Sequence, residues 1–481
     1  MIQQPRRRPI RSLMVAPSLA PTLARDHAGR SPNGLDRRDA WIGLLALGIG
    51  VSAAIVAESL IRAIALVTNL AYFGRLSIAD VAPRDHHLGI WAICVPVVGG
   101  LIVGVMARYG SRAIRGHGIP EAMEQILTNE SRIPLRIMFL KPLSAAVAIG
   151  TGGPFGAEGP IIATGGALGS AIGQFVAVTA RERKTLLAAG AAAGMTAIFG
   201  TPVAAILLAI ELLLSEYSAR TVVPVALACL VAGVLRAITH GTGAVFIVPE
   251  LHDPSTNSMI VAVIAGGIIG VAATAVTRAV YAVEDGFAHL PLHWMWWPAL
   301  GGVVVGTIGV FAPRVLGVGY DNITSAVAGH FTTAALATLL VAKLIAWAIA
   351  LGSGTSGGTL APLLTFGAAL GWLIGSALAA IAPSAGIDPR VAALVGMVAM
   401  FAGASRALLT SMVFAVEATQ QIHAIVPIVG GVTLAYVASA SLMRTTIMTE
   451  KLSRRGVATD EEIGVNIATE AAITAATRRH P

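Results

Sequence analysis

Between residues 40 and 444 the chain is a series of apolar runs separated by short polar turns, and this fixes the solvent it can fold in. The runs cover roughly 40–72, 89–107, 137–151, 160–180, 185–216, 222–238, 259–284, 294–318, 333–352, 360–382, 390–418 and 424–444. Only 12% of residues are charged and 55% are hydrophobic, against about 25% charged in an ordinary soluble domain. A water-soluble fold so poor in charge would have an apolar exterior and aggregate. The predicted class is an all-α polytopic membrane protein. A spanning helix needs about 20 apolar residues. Several runs exceed this and others fall short, so tilted, interrupted helices of the kind transporters use are expected. Breaks are predicted at Gly200-Thr201-Pro202 within 185–216 and at Gly403-Ala404-Ser405-Arg406 within 390–418.

The polar ends set the orientation. Eight arginines between Arg6 and Arg38 stand against Asp26 and Asp36. This 1–38 tail is too long and polar before the first run to be a cleaved secretory signal. It lacks the interleaved aromatics of a nucleic-acid surface, so no nucleic-acid partner is expected, and it reads as a cytoplasmic flank. Lys451, Arg454 and Arg455 follow the last run, which places the C-terminus on the same side. The 450–481 tail is too short for an ordinary regulatory domain, leaving 39–449 as the transmembrane domain. Cys94 and Cys229 both fall in apolar runs, so neither a disulfide framework nor a cysteine metal site is predicted, and no cofactor is expected.

The chain repeats itself. Pro160, Gly165, Ala167, Leu168 and Gly169 match Pro362, Gly367, Ala369, Leu370 and Gly371, and Gly190 to Glu211 aligns without gaps to Gly396 to Glu417. Matches in the same order at nearly constant offset imply two structural repeats, near 40–240 and 258–448, with a substrate site at their interface. The identities do not say whether the repeats are inverted.

Glu158 stands in Gly153-Pro154-Phe155-Gly156-Ala157-Glu158-Gly159-Pro160 at the start of a long apolar run. An ionisable residue there is costly in lipid and marks an ion or proton path. Two further glycine-rich turns lead into apolar helices: Gly116-His117-Gly118-Ile119-Pro120-Glu121, and Gly354 to Pro362. Each carries proline where the first helical turn tolerates it and glycines that let backbone N–H groups approach a ligand. Helix N-termini attract anions through unpaired N–H donors and about half a unit of positive charge. Three such ends converging near the midplane would bind an anion without trapping it. For any one turn alone, a helix cap or a packing glycine is the plainer reading.

Taken together, the three turns resemble the signature segments of the CLC family of chloride channels and chloride/proton antiporters, which read GSGIPE, G(K/R)EGP and GxFxP. The resemblance covers about 410 residues, including the repeated glutamate-ended helices. It implies inverted repeats, a homodimer with one anion pathway per subunit, and a bacterial inner-membrane location. Carried over by position, Glu158 resembles the gating glutamate, whose side chain occupies an anion site and swings away when protonated. Gly156 and Gly159 flank it. The N–H groups of Thr359 and Leu360 resemble those of the central anion site, and Gly116, His117, Gly118, Ile119 and Pro120 the inner turn. His117 replaces a serine hydroxyl, Met448 falls where a tyrosine hydroxyl usually completes the site, Leu360 replaces phenylalanine, and Ala157 replaces the basic residue. The antiporters' inner proton-feeding glutamate aligns with Leu212, next to Glu211.

The expected function is transport of chloride or a similar small anion through a glutamate-gated, pH-sensitive pathway. Because Leu212 can neither bind nor relay a proton, the balance leans toward passive or weakly coupled flow; stoichiometric anion/proton exchange, of chloride or fluoride, is the alternative. Glu158, His117 and Glu211 form the candidate proton path, although Glu211 and Glu417, ending matching helices, read more simply as caps. A membrane-embedded enzyme is the remote alternative, since no catalytic pair or nucleophile is visible. His86-His87 lacks further spaced metal ligands, and His293 with Trp294, Trp296 and Trp297 reads as an interfacial belt.

Overall fold

The computed structural model describes residues 36–251 and 254–457. Most of the 1–38 and 450–481 tails, and their expected placement, therefore lie outside the described residues. The first half comprises α1 (Arg37–Phe73), α2 (Cys94–Val105), α3 (Ile119–Thr128), α4 (Leu135–Gly150), α5 (Glu158–Phe175), α6 (Ala180–Phe199), α7 (Pro202–Leu208) and α8 (Ala219–His240). The second half comprises α9 (Thr256–Ala288), α10 (Trp297–Phe311), α11 (Tyr320–Val327), α12 (Thr333–Gly352), α13 (Leu360–Ile381), α14 (Pro389–Ser405), α15 (Leu408–Thr419) and α16 (Ile425–Leu442); α17 (Glu450–Arg454) follows. Each helix of the first half has its counterpart eight places on.

Eight helical segments among the described residues are long and apolar enough to cross a membrane. With 37 residues, α1 is about 55 Å long and must tilt in a hydrocarbon core of about 30 Å. Its outer face exposes Leu44, Ile55, Leu66 and Leu70, side chains that lipid solvates and water would not. On the face where α1 begins, Arg38 pairs with Glu182 at 2.8 Å and Asp39 with Arg220 at 3.3 Å.

The expected breaks have local causes. Gly200 ends α6 in the left-handed conformation (φ +64°), and Pro202 opens α7. In the second half Arg406 takes φ +61° after Ser405.

The repeats are packed alike internally and are joined to each other by reciprocal caps. Within each, the matched glycines are mutual contacts: a Cβ on Gly165 would collide with the Gly190 carbonyl and the reverse, and Gly367 and Gly396 stand in the same relation. Such close backbone approach is how helices pack where lipid offers no hydrophobic drive. Between them, Glu211 accepts from the N–H groups of Leu409 (2.8 Å) and Thr410 (2.9 Å), and Glu417 accepts from those of Val203 (3.0 Å) and Ala204 (2.8 Å). The end of each helix segment caps the start of the other, so α7 and α15 run antiparallel, and the repeats are inverted.

Candidate functional site

Backbone hydrogen bonds bring the three glycine-rich turns together. The Gly116 N–H donates to the Thr355 carbonyl (3.3 Å), and the Gly357 N–H to the Gly116 carbonyl (3.4 Å). Gly156 and Gly358 bond each other in both directions, at 3.3 and 2.9 Å. The turn before α13 is therefore paired with both of the others. A Cβ on Gly159 would collide with the His117 carbonyl, and one on Gly118 with the Gly159 carbonyl. Gly118 also sits at φ +96°, which a side chain would strain.

Glu158 is the first residue of α5 and is fully buried. Its side chain folds back over Gly156, so closely that a Cβ there would overlap Oε2, and it also reaches Gly358. Oε1 accepts a hydrogen bond from the Tyr320 hydroxyl at 2.8 Å. The Ala361 N–H, in the first turn of α13, lies close to the carboxylate, while Oε2 has no hydrogen-bond partner among the described residues. The carboxylate thus lies where the starts of α5 and α13 meet, the place where helix ends favour negative charge.

Tyr320 was not anticipated from the sequence. It is the first residue of α11, preceded by Gly319 at φ +73°, and is the counterpart of Ile119, which follows Gly118 at the start of α3. The signal that could have found it was Gly317-x-Gly319 echoing Gly116-x-Gly118. Its ring packs edge-on against Phe199 (5.8 Å) and Phe246 (6.1 Å), and Phe414 joins both phenylalanines.

On the side of His117 the turn is held by charge. Lys141, 1% exposed, donates to the carbonyls of Ile114 (2.9 Å) and Gly116 (2.8 Å). Glu121 accepts from the Gly118 N–H (2.6 Å) and from Lys451 of α17 (2.9 Å). His117 is buried with no hydrogen-bond partner for Nδ1 among the described residues, and it lines a cavity of about 520 Å³ together with Arg115, Glu121, Lys141, Tyr281 and Lys451. Pro120 occupies the first turn of α3. Ile119, Leu360 and Met448 are buried in one continuous apolar core, and Thr359 stands at the N-cap position of α13 with no side-chain bond into the helix among the described residues. The Met448 N–H donates to Thr446 Oγ1 at 3.2 Å, and the neighbouring Tyr281 hydroxyl donates to the Ile447 carbonyl at 2.9 Å.

The Glu211 carboxylate is taken up by the start of α15, including the Thr410 hydroxyl at 2.6 Å. With Leu212 it borders a separate cavity of about 90 Å³, also lined by Met123, Ser405, Thr446 and Thr449. Trp294 lies against the guanidinium groups of Arg112 and Arg115, each 4.9 Å from its ring, and Trp297 lies 5.5 Å from Arg115. These two rings hold arginines beside the Gly116 turn, a cation–π role that the expected interfacial belt did not include. His86 stacks on Tyr72 at 5.4 Å.

Fold and site define a class: an all-α membrane protein of two inverted repeats, with a carboxylate held where helix starts converge at their junction. The chain belongs to the voltage gated chloride channel family, whose profile matches residues 99–440. It is 29% identical over 354 residues to a protein of Vibrio campbellii named H(+)/Cl(-) exchange transporter ClcA, covering 71% of this chain and 75% of that one. Among solved structures it resembles a slow cyanobacterial Cl-/H+ antiporter, with a TM-score of 0.77 and 23% identity over 88% of this chain and 99% of that one. It also resembles a CLC-type fluoride/proton antiporter, with a TM-score of 0.69 and 21% identity over 84% and 96%.

Proposed function

We propose that the protein exchanges a small inorganic anion, of the chloride or fluoride class, for protons across a membrane. Glu158 serves as both gate and proton carrier in this reading. The observation that carries it is the Glu158 carboxylate lying over Gly156 and Gly358 at the starts of two helices, under the Tyr320 hydroxyl. Ionised, it occupies the place an anion would take; protonated, it loses that attraction and yields the place. A group that must take up a proton to let an anion pass couples the two fluxes.

The sequence alone leans toward passive or weakly coupled flow, on the strength of Leu212. The relatives weigh the other way, since the Vibrio protein is named an exchanger. Leu212 still requires another proton route. His117, buried beside the larger of these two cavities with no partner for Nδ1 among the described residues, is the residue we assign to it, and the cavity beside Leu212 is large enough for a few waters. The anion path on that side runs through the cavity lined by Lys141, Arg115 and Lys451. The protein works as a homodimer in the bacterial inner membrane, with both termini cytoplasmic.

The test is a proteoliposome experiment with an imposed chloride gradient and a pH-sensitive dye. Sustained uphill proton movement at a fixed ratio to chloride is expected. Chloride flux with no uphill proton movement would return the reading to a passive pathway, and no flux at any pH would remove transport altogether.

A further inference from the structure

We propose that Tyr320 is a specificity-determining donor of the transport site: its hydroxyl bonds the Glu158 carboxylate in the closed state and bonds the transported anion once that carboxylate has moved away. The inference rests on the gate reading of Glu158 and adds to it a contact made by another residue.

The hydroxyl donates to Glu158 Oε1 at 2.8 Å. A donor aimed at one anionic oxygen is aimed equally at a small anion in the same place, and hydrogen bonds to charged acceptors are the strong ones. When the carboxylate leaves, its place over Gly156 and Gly358 keeps the Ala361 N–H and the start of α13. The hydroxyl stays because its ring cannot follow: Phe199 and Phe246 pack edge-on against it, one from the end of α6 and the other from the link between the repeats.

The backbone that carries Tyr320 is also fixed. Lys343, fully buried on α12, donates to the carbonyls of Val315 (3.2 Å), Gly317 (3.3 Å) and Val318 (3.4 Å), which form the turn immediately before α11. A donor fixed before the ion arrives costs little ordering on binding.

Position completes the case for Tyr320. In inverted repeats the starts of α3 and α11 approach the junction from opposite faces. On the α3 side the equivalent residue is Ile119, without a polar atom in its side chain, and Met448 is a thioether. Tyr320 therefore supplies a phenolic donor from the side opposite His117, and selectivity is set from that approach.

The experiment is chloride titration by calorimetry on the purified full-length protein, comparing Tyr320→Phe with tyrosine at 320 in two backgrounds, wild type and Glu158→Ala. In Glu158→Ala the competing carboxylate is gone, and Tyr320→Phe is expected to weaken chloride binding about tenfold. In the wild type the same change weakens ion and competitor together, so the apparent affinity should move much less. No change in the Glu158→Ala background would overturn the proposal, because the hydroxyl would then serve the carboxylate alone. An equal loss in both backgrounds would also overturn it, indicating a general structural effect. Should Tyr320→Phe prove unstable, 3-fluorotyrosine at position 320 keeps the ring and makes the hydroxyl a stronger donor. At mildly acid pH it should tighten chloride binding in Glu158→Ala, and an unchanged affinity would count against the contact. Failure of the gate reading has its own signature: Glu158→Ala alone would leave chloride affinity unchanged.

Discussion

Lys141 and Lys343 stand 202 residues apart in sequence and perform the same task in the two inverted repeats. Each is buried in an apolar helix and each binds the carbonyls of the turn that precedes a short helix aimed at the repeat junction. Removing either ammonium leaves buried carbonyls without donors, at about 1–3 kcal/mol per lost group. Lys141→Met and Lys343→Met should each lower the thermal midpoint in detergent by several degrees. Lys141→Met should also reduce chloride flux by loosening the Gly116 turn. Unchanged midpoints in both variants would show that the carbonyls find other partners.

Glu158→Gln fixes the side chain in a neutral form of the same shape. Chloride flux should persist or rise, most of its pH dependence between acid and neutral should vanish, and uphill proton transport should be lost. The sign follows from competition: in the wild type, acid neutralises the carboxylate and raises anion flux, whereas glutamine is already neutral. A reconstituted variant with the wild-type pH profile would sink the gate assignment.

His117 distinguishes the two candidate proton routes. An imidazole can take up a proton and a serine hydroxyl cannot, while both can donate a hydrogen bond. In a Glu158→Gln background, which removes the carboxylate's own pH effect, chloride should bind more tightly in acid than in alkali, and adding His117→Ser should abolish that difference. His117→Ala should abolish proton uptake while leaving anion flux measurable. Equal affinities in that background with and without His117→Ser at both pH values would place the imidazole away from the ion.

Glu211 and Glu417 give a prediction about stability with little effect on coupling. Each satisfies two helix-start donors from the opposite repeat. Glu211→Ala and Glu417→Ala should each cost about 1–2 kcal/mol, as lost caps do. Glu211→Gln should keep the proton-to-chloride ratio of the wild type. A changed ratio in Glu211→Gln would return this residue to the proton path.

Much of the fold was readable because membrane helices announce themselves by composition and the repeats by spacing. Sequence register matches Gly165 with Gly367 and Gly190 with Gly396, and the structure gives both repeats the same contact, Gly165 on Gly190 in the first and Gly367 on Gly396 in the second. Glu158 was readable because a carboxylate among glycines in an apolar chain is too costly to keep without a use. Tyr320 was not, since its partner lies 162 residues away and a tyrosine near a turn has no intrinsic preference that betrays a hydrogen bond. Lys141 and Lys343 were overlooked although each is the only charged residue in its apolar run, a signal as strong as that of Glu158. The direction of the second repeat was unreadable because residue matches are the same whichever way a helix points.

The reciprocal caps have a consequence in time. Glu417 is 214 residues downstream of the Val203 N–H that it caps, and chains emerge at about 5–20 residues per second. The start of α7 therefore waits about 10–40 s inside the membrane with donors open before its partner is synthesised. The earlier half of the protein is made as an unfinished object, and its last native hydrogen bonds must be delivered by the later half.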